Sequence, residues 1–365
     1  MTEKTTVVVL FGGRSSEHSI SSATAGGVLG AIDRDRFEVI PVGITRDGAT
    51  VLERDDPEAF RLDPERMPEV VDNGSRVRWP EKVGDRLLTV VEADGTERTL
   101  GPVDVVFPIL HGPFGEDGTV QGLLELTGLP FVGSGVLGSA VGMDKHFTKT
   151  LLRDAGLAVA PWRTVTRRSL ARDPQQAARA LEELGLPVFV KPARAGSSVG
   201  VSRVASADQL DAALETAFAE DSRVLIEAGL TGRELEIAVL DGRDGAAPRT
   251  SVAGEVVVSG RDFYDFEAKY LGADGITLSC PAEVSESELR EFSSLAVTAF
   301  EALDLSGLAR VDVFLTADGF VVNEVNTMPG FTPISMFPSC WLASGLSYPE
   351  LITELVELAL EGGSR

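Results

Sequence analysis

Two hydrophobic periods alternate along this 365-residue chain. Short aliphatic runs rich in β-branched residues read as strands at 7–11, 37–44, 103–110, 188–192, 223–227, 235–240 and 251–258. Apolar residues three and four apart predict helices at 16–31, 119–127, 144–155, 175–184, 206–219, 286–302 and 349–361. The opening strand, helix and strand form a βαβ pattern, which predicts a parallel sheet with helices on its faces. Residues 50–100 are charged and turn-rich, with a hairpin expected near 86–91 and 98–100. The pattern changes near Gly133 and again near Gly229. We therefore expect an α/β (α+β) chain of three domains, at 1–133, 134–228 and 229–365, with a lid at about 259–277.

The pattern is most informative at 310–315 and 321–326, two strands around Ala317-Asp318-Gly319. A three-residue loop with Thr316 facing Phe320 sets Asp312 opposite Glu324 and Arg310 opposite Asn326. Side chains alternate along a strand, so these four share one face and Val311, Val313 and Val325 take the other. Two carboxylates and a carboxamide are hard oxygen ligands of the kind magnesium takes, usually alongside phosphate oxygens. A neighbouring arginine suits an oxyanion or a phosphoryl group in transfer. An exposed hairpin of alternating charges carries the same pattern.

Composition narrows the function classes. A net charge of −23 opposes binding to nucleic acid or an acidic membrane. Cys280 and Cys340 are the only cysteines and offer neither metal spacing nor a disulfide framework, which fits a reducing cytoplasm. The first apolar run is too short for a signal peptide or a membrane span, so a soluble intracellular protein is expected.

Several loops can carry chemistry. Gly12-Gly13-Arg14-Ser15-Ser16-Glu17 follows the first strand without GxGxxG spacing, so it is either a strand end or a site other than a dinucleotide loop. Ala195-Gly196-Ser197-Ser198-Val199-Gly200, with Lys191 at the preceding strand end, can cradle phosphate or simply turn a hairpin. A slot near Glu227 can take adenine and Glu234 ribose hydroxyls, although solvated glutamates look the same. Residues 262–270 fit a water-excluding lid or a plain surface loop. The 326–336 segment offers a glycine and hydroxyls to a carboxylate. His111 stands at a glycine-rich loop after a strand, a common place for α/β sites, and equally for a structural histidine.

Together these motifs resemble the D-alanine–D-alanine ligases of the ATP-grasp superfamily. The residues that carry the resemblance are Gly12-Gly13-Arg14-Ser15-Ser16-Glu17, His111-Gly112 through Glu116-Asp117-Gly118, Met143-Asp144-Lys145 and Lys191-Pro192 with 196–200. Tyr264-Asp265, Lys269-Tyr270, Arg310-Val311-Asp312 and Glu324 through Gly330 complete it, in family order over nearly the whole chain. Phe266 stands where the family often has tyrosine, and Ala228-Gly229 replaces a bulkier hinge pair.

The resemblance implies a three-domain ATP-grasp fold in a cytoplasmic homodimer that uses ATP, D-alanine and two magnesium (or manganese) ions for peptidoglycan precursor synthesis. It implies Lys145, Lys191, Gly196 and Ser198 on the ATP phosphates, Glu227 and Glu234 on adenine and ribose, and Asp312, Glu324 and Asn326 on metal. Arg310 and Gly330 would stabilise the tetrahedral oxyanion, and Glu17 would pair with the first ammonium. Ser335 and Lys269 would hold the second carboxylate, with His111 and Met336 beside the substrates. Ser197 and Tyr270 would bond with Glu17 to lock the lid. The rivals are a D-alanine–D-lactate ligase, another ATP-grasp carboxylate ligase, and a nucleotide-binding sensor without catalysis. Tyr270 goes with dipeptide formation in the family, and no metal ligand or arginine is lost.

Overall fold

The computed structural model describes residues 4–63, 65–258 and 276–362. The proposed lid residues Tyr264, Phe266, Lys269 and Tyr270 therefore lie outside the described residues. The expected lid, to about 277, runs slightly too far, since a strand already begins at Ile276.

Thr5–Gly12 (β1), His18–Ala31 (α1) and Phe37–Ile44 (β2) form the βαβ opening, and Thr50–Leu52 (β3) turns back antiparallel on the edge. Arg76–Arg78 (β4), Leu87–Val91 (β5) and Glu97–Pro102 (β6) make a separate antiparallel sheet. Val105–Ile109 (β7) then returns beside β1, in parallel, giving the order β3-β2-β1-β7. Thr119–Thr127 (α2), Val136–Met143 (α3) and Lys145–Asp154 (α4) lead out of this sheet.

The middle of the chain folds around a second sheet. Trp162–Thr166 (β8), Val188–Pro192 (β9), Ser202–Val204 (β10) and Arg223–Ala228 (β11) are antiparallel in the order β10-β9-β11-β8. Arg167–Arg172 (α5), Gln176–Leu184 (α6) and Leu210–Glu220 (α7) accompany it. The expected helix at 206–219 is two pieces, a 3₁₀ turn at Ala207–Gln209 and then α7.

The last sheet is Arg233–Leu240 (β12), Arg249–Val258 (β13), Ile276–Ser279 (β14), Leu308–Thr316 (β15) and Gly319–Asn326 (β16), in the order β14-β13-β12-β15-β16. Glu286–Ala302 (α8) covers its inner face, where Phe292 and Phe300 pack with Val311, Val313 and Val325. Met336–Ala343 (α9) and Tyr348–Gly362 (α10) end the chain.

The β15–β16 register corrects the expected hairpin while preserving its outcome. Thr316 pairs with Gly319, not Phe320, so the loop has two residues, Ala317 and Asp318. The Thr316 hydroxyl donates to the Gly319 carbonyl (2.9 Å) and accepts from the Asp318 N–H (3.2 Å), which closes this tighter turn. Asn323 is an extra residue on β16, a bulge that moves the pairing back by one. Asp312 thus still faces Glu324, and Arg310 still faces Asn326.

The chain's two ends share one core. Val7, Val9 and Phe107 of the first sheet pack with Phe331, Trp341, Leu351 and Leu355. Phe331 is fully buried, edge-on to Phe107 at 5.8 Å, and its carbonyl accepts from the Tyr348 hydroxyl at 2.6 Å. Burying such a ring contributes roughly 2–3 kcal/mol. It pins the 326–336 loop against the first sheet, and so joins the two halves of the site below.

Candidate active site

Two cavities adjoin at the convergence of the three large sheets. The first, about 160 Å³, is lined by Glu17, His111, Lys145, Gly196, Ser197, Arg310, Glu324, Asn326, Gly330, Ser335 and Met336 among others. The second, about 470 Å³, is lined by Lys145, Lys191, Ser197, Ser198, Glu227, Glu234 and Glu324, with Phe189, Val201, Leu230 and Phe314 as apolar walls. Lys145, Ser197 and Glu324 line both.

Glu17 stands at the N-cap of α1 but makes no cap bond there. Its buried carboxylate instead accepts from the Ser197 hydroxyl, across 180 residues of chain. A Cβ on Gly112 or Gly196 would meet Glu17 Oε2 at 2.8 or 2.7 Å, so a larger residue at either position would displace the Glu17 carboxylate. Ser197 and Ser198 take left-handed φ of 49° and 58°, which bends the 195–200 loop around the cavity. This loop also joins the antiparallel neighbours β9 and β10, so the hairpin reading and the cradle reading both hold geometrically.

Arg310 is held by two carboxylates. Its guanidinium donates to both oxygens of Asp312, each at 2.7 Å, and its Nε lies 2.9 Å from Glu236 Oε2. The pair keeps Arg310 firmly charged: its pKa is raised despite burial, chiefly by Asp312 and then Glu236. Asp312 also accepts from the Asn326 amide at 2.9 Å. Glu324 and Asn326 line the cavity, whereas Asp312 sits behind them. Among the described residues no cluster of three or more His, Cys, Asp or Glu side chains is arranged to hold a metal ion. The hard-oxygen set of Asp312, Glu324 and Asn326 nevertheless fits magnesium whose remaining ligands are phosphate oxygens and water.

The two proposed phosphate lysines differ in setting. Lys145 Nζ donates to the Ala195 carbonyl at 2.8 Å and lies 4.0 Å from Glu324. Lys191 Nζ donates to Glu227 at 2.6 Å. Glu227 is itself buried, with Lys149 2.7 Å from its other oxygen. Burial alone would raise its pKa, but Lys191 and then Lys149 bring it below the ordinary value. The Glu227 carboxylate is therefore engaged by two lysines at the edge of the larger cavity.

Ser335 is the N-cap of α9 and leaves its side chain uncommitted to the cap; its hydroxyl pairs with Thr332 at 2.7 Å. A helix N-terminus with hydroxyls beside it suits a carboxylate. A Cβ on Gly330 would meet Ser335 Oγ at 3.2 Å. Met336 lines the cavity but is also a core residue, packed on Gly254. His111 donates from Nδ1 to the Met328 carbonyl (3.2 Å), and burial lowers its pKa, so Nε2 is a bare acceptor in the cavity wall.

Sequence reasoning missed Lys149, Glu236 and Glu116 as members of the site. Lys149 lies four residues after Lys145, on the same helix face. Glu236 shares a strand face with Glu234 and interrupts an aliphatic run. Glu116 accepts from the Gly112 N–H at 2.7 Å and lines the smaller cavity. Burial, then the Glu17 carboxylate, push its carboxyl from the ordinary 4.5 up to about 8.

A raised carboxyl pKa stabilises the fold while the proton is held and loses that contribution as pH rises. Glu116 therefore predicts a fall in thermal stability from pH 4.5 to about 8 that is flattened in Glu116→Gln. Parallel melting curves for the two proteins across that range would remove Glu116 as the cause.

The fold and its paired cavities define an ATP-dependent ligase of the ATP-grasp architecture. Residues 6–134 match the family model of the D-ala D-ala ligase N-terminus, and residues 151–357 that of the D-ala D-ala ligase C-terminus. The D-alanine–D-alanine ligase of Pseudarthrobacter chlorophenolicus is 52% identical over 360 residues, covering 98% of this chain and 94% of the relative. That of Mycobacterium ulcerans is 50% identical over 371 residues, covering 99% and 97%. Among solved structures, the VanG D-Ala:D-Ser ligase of Enterococcus faecalis superposes with a TM-score of 0.83 at 34% identity, over 98% of this chain and 100% of that one. The D-alanine–D-alanine ligase of Coxiella burnetii gives 0.82 at 35% identity, over 100% and 96%.

The chain belongs to the D-alanine–D-alanine ligase family. It joins two D-alanine molecules into D-alanyl-D-alanine for peptidoglycan synthesis, in an ATP-dependent reaction. No helix among the described residues is long and apolar enough to cross a membrane.

Proposed function

We propose that ligation runs through an acyl phosphate, with ATP in the larger cavity and the two D-alanines in the smaller. The observation that carries this reading is that Lys145, Ser197 and Glu324 line both cavities. A phosphoryl group held there reaches a carboxylate on one side and ADP on the other.

The carboxylate of the first D-alanine attacks the γ-phosphoryl, the bond to ADP breaks, and an acyl phosphate forms. Lys145 and Lys191 offset charge on the phosphates, and the 196–198 backbone approaches their oxygens. Asp312, Glu324 and Asn326 are the residues that would hold magnesium or manganese, which neutralises phosphate charge when bound. Glu234 takes the ribose, and the strand at Glu227 and Ala228 borders the adenine. Glu17, fixed by Ser197, pairs with the first ammonium.

The amine of the second D-alanine then attacks the acyl carbon. Arg310 and the Gly330 N–H stabilise the oxyanion, and phosphate departs as the leaving group. Ser335 and the N-terminus of α9 hold the second carboxylate, with His111 Nε2 and Met336 bordering the substrates. We assign Lys269 and Tyr270 to closure over this site, a homodimer as the assembly and the cytoplasm as the location, on family resemblance. We also keep the division at 1–133, 134–228 and 229–365.

Carboxylate attack moves one carboxylate oxygen into the released phosphate. D-Alanine labelled with ¹⁸O in its carboxylate should therefore yield phosphate carrying one ¹⁸O per turnover, read by mass spectrometry. Unlabelled phosphate alongside labelled dipeptide would exclude the acyl phosphate.

A further inference from the structure

Cys280 and Cys340 are the only cysteines of the chain, and they meet. Their sulfurs lie 3.5 Å apart although 60 residues separate them, and both are free thiols. Cys280 directly follows β14 and is half-buried; Cys340 lies in α9 and is buried. We propose that this pair is a reversible oxidation site, a dithiol that peroxide converts to a disulfide, and that closing it restrains the substrate cavity.

Three observations support the site. A disulfide needs its sulfurs about 2.05 Å apart, so closure requires an approach of roughly 1.5 Å, within the reach of side-chain rotation and a small backbone shift. The contact also polarises the pair: the shared S–H pulls the Cys280 thiol below its ordinary value and pushes Cys340 up. The more exposed sulfur is thereby the better nucleophile toward a small oxidant. Finally, nothing in the ligation reaction uses either thiol. Disulfides of intracellular enzymes are characteristically transient and regulatory.

The chemistry balances with hydrogen peroxide as oxidant. The Cys280 sulfur attacks one peroxide oxygen and the O–O bond breaks. The departing hydroxide takes the thiol proton as water and leaves a sulfenic acid. The Cys340 sulfur then attacks the Cys280 sulfur, the S–O bond breaks, and hydroxide leaves with the Cys340 proton as a second water. Two thiols lose two electrons and one peroxide gains them.

The link to activity is spatial. Leu278, two residues before Cys280, and Met336, one helical turn before Cys340, both line the smaller cavity. Ser335 caps the helix that carries Cys340. Cys340 also lies within the field of Glu236 and Arg310. Drawing β14 and α9 together thus moves two walls of the D-alanine cavity; in the larger cavity Lys191, Glu227 and Glu234 lie on other strands, and the wall from Glu255 to Val257 on β13 pairs with β14.

The full chain, treated with hydrogen peroxide, should lose two hydrogens by intact mass and show no titratable thiol in denaturant. Its kcat/KM for D-alanine should fall ~10- to 10²-fold, the scale of an ångström-sized misplacement. The KM for ATP should change less than the D-alanine kinetics, and dithiothreitol should restore the rate. Cys280→Ser and Cys340→Ser should keep normal reduced activity and resist this loss. Thiols that stay titratable, or a gain of two oxygens on one cysteine, would overturn the disulfide. A disulfide with unchanged D-alanine kinetics, or serine variants that peroxide inactivates as it does the parent, would overturn its link to the site.

Discussion

Replacing Arg310 by lysine should lower kcat for dipeptide formation by ~10²- to 10³-fold, the scale of losing one preorganised oxyanion donor. Lysine keeps the charge, so electrostatics alone predicts a mild effect. Geometry predicts the severe one. The guanidinium donates to both Asp312 oxygens and also approaches Glu236, and these carboxylates fix its plane. A lysine ammonium cannot reproduce that fork. It also leaves two buried carboxylates poorly paired, which can cost ~3–5 kcal/mol of fold stability. The assay therefore belongs well below the variant's melting temperature, with near-native circular dichroism as the control. Folded Arg310→Lys that ligates at the parental rate would show that the oxyanion is stabilised elsewhere.

That the arginine is clamped, rather than merely present, was only half legible in the sequence. Arg310 and Asp312 share a strand face by simple alternation, which local pattern reveals. Glu236 joins them because β12 pairs with β15 in a register that sets Glu236 against Asp312, and such long-range pairing leaves no local signal. Lys149 is similar. Its helical spacing from Lys145 was visible, but its burial against Glu227 depends on α4 meeting β11, a contact distant in the chain.

The elements that escaped prediction have identifiable causes. α3 contains Gly138 and Gly142, which weaken a helical pattern, yet the structure needs the space, since a Cβ on Gly138 would meet the Asp304 carbonyl at 2.7 Å. α9 contains Pro338, which reads as a breaker but falls in the first turn, where the missing N–H is harmless. The β15–β16 hairpin gave the correct partners through two compensating departures, a shorter loop and the Asn323 bulge. Side-chain alternation alone cannot show a bulge, whereas the requirement that Asp312, Glu324 and Asn326 share a face is met either way.

Glu324→Gln tests what that shared face is for. The change keeps the volume and the strand but removes one charge. Turnover should fall at least ~10²-fold, about 2.7 kcal/mol of transition-state stabilisation. Two roles can produce a loss, because Glu324 lies 4.0 Å from Lys145 as well as beside Asn326 in the cavity wall. A metal-holding carboxylate predicts that the magnesium concentration for half-maximal rate rises by at least ~10-fold, as one charged oxygen ligand is replaced by a neutral one. A residue that merely positions Lys145 predicts an unchanged magnesium midpoint and a raised KM for ATP. The lysine contact is long and the Glu324 side chain is 28% exposed, so that ion pair by itself is worth only ~0–1 kcal/mol. A loss of that size together with a raised magnesium midpoint would exceed what the pair can supply and would assign the effect to a bound metal. A magnesium titration with the parental midpoint, whatever the maximal rate, would take the metal away from this hairpin.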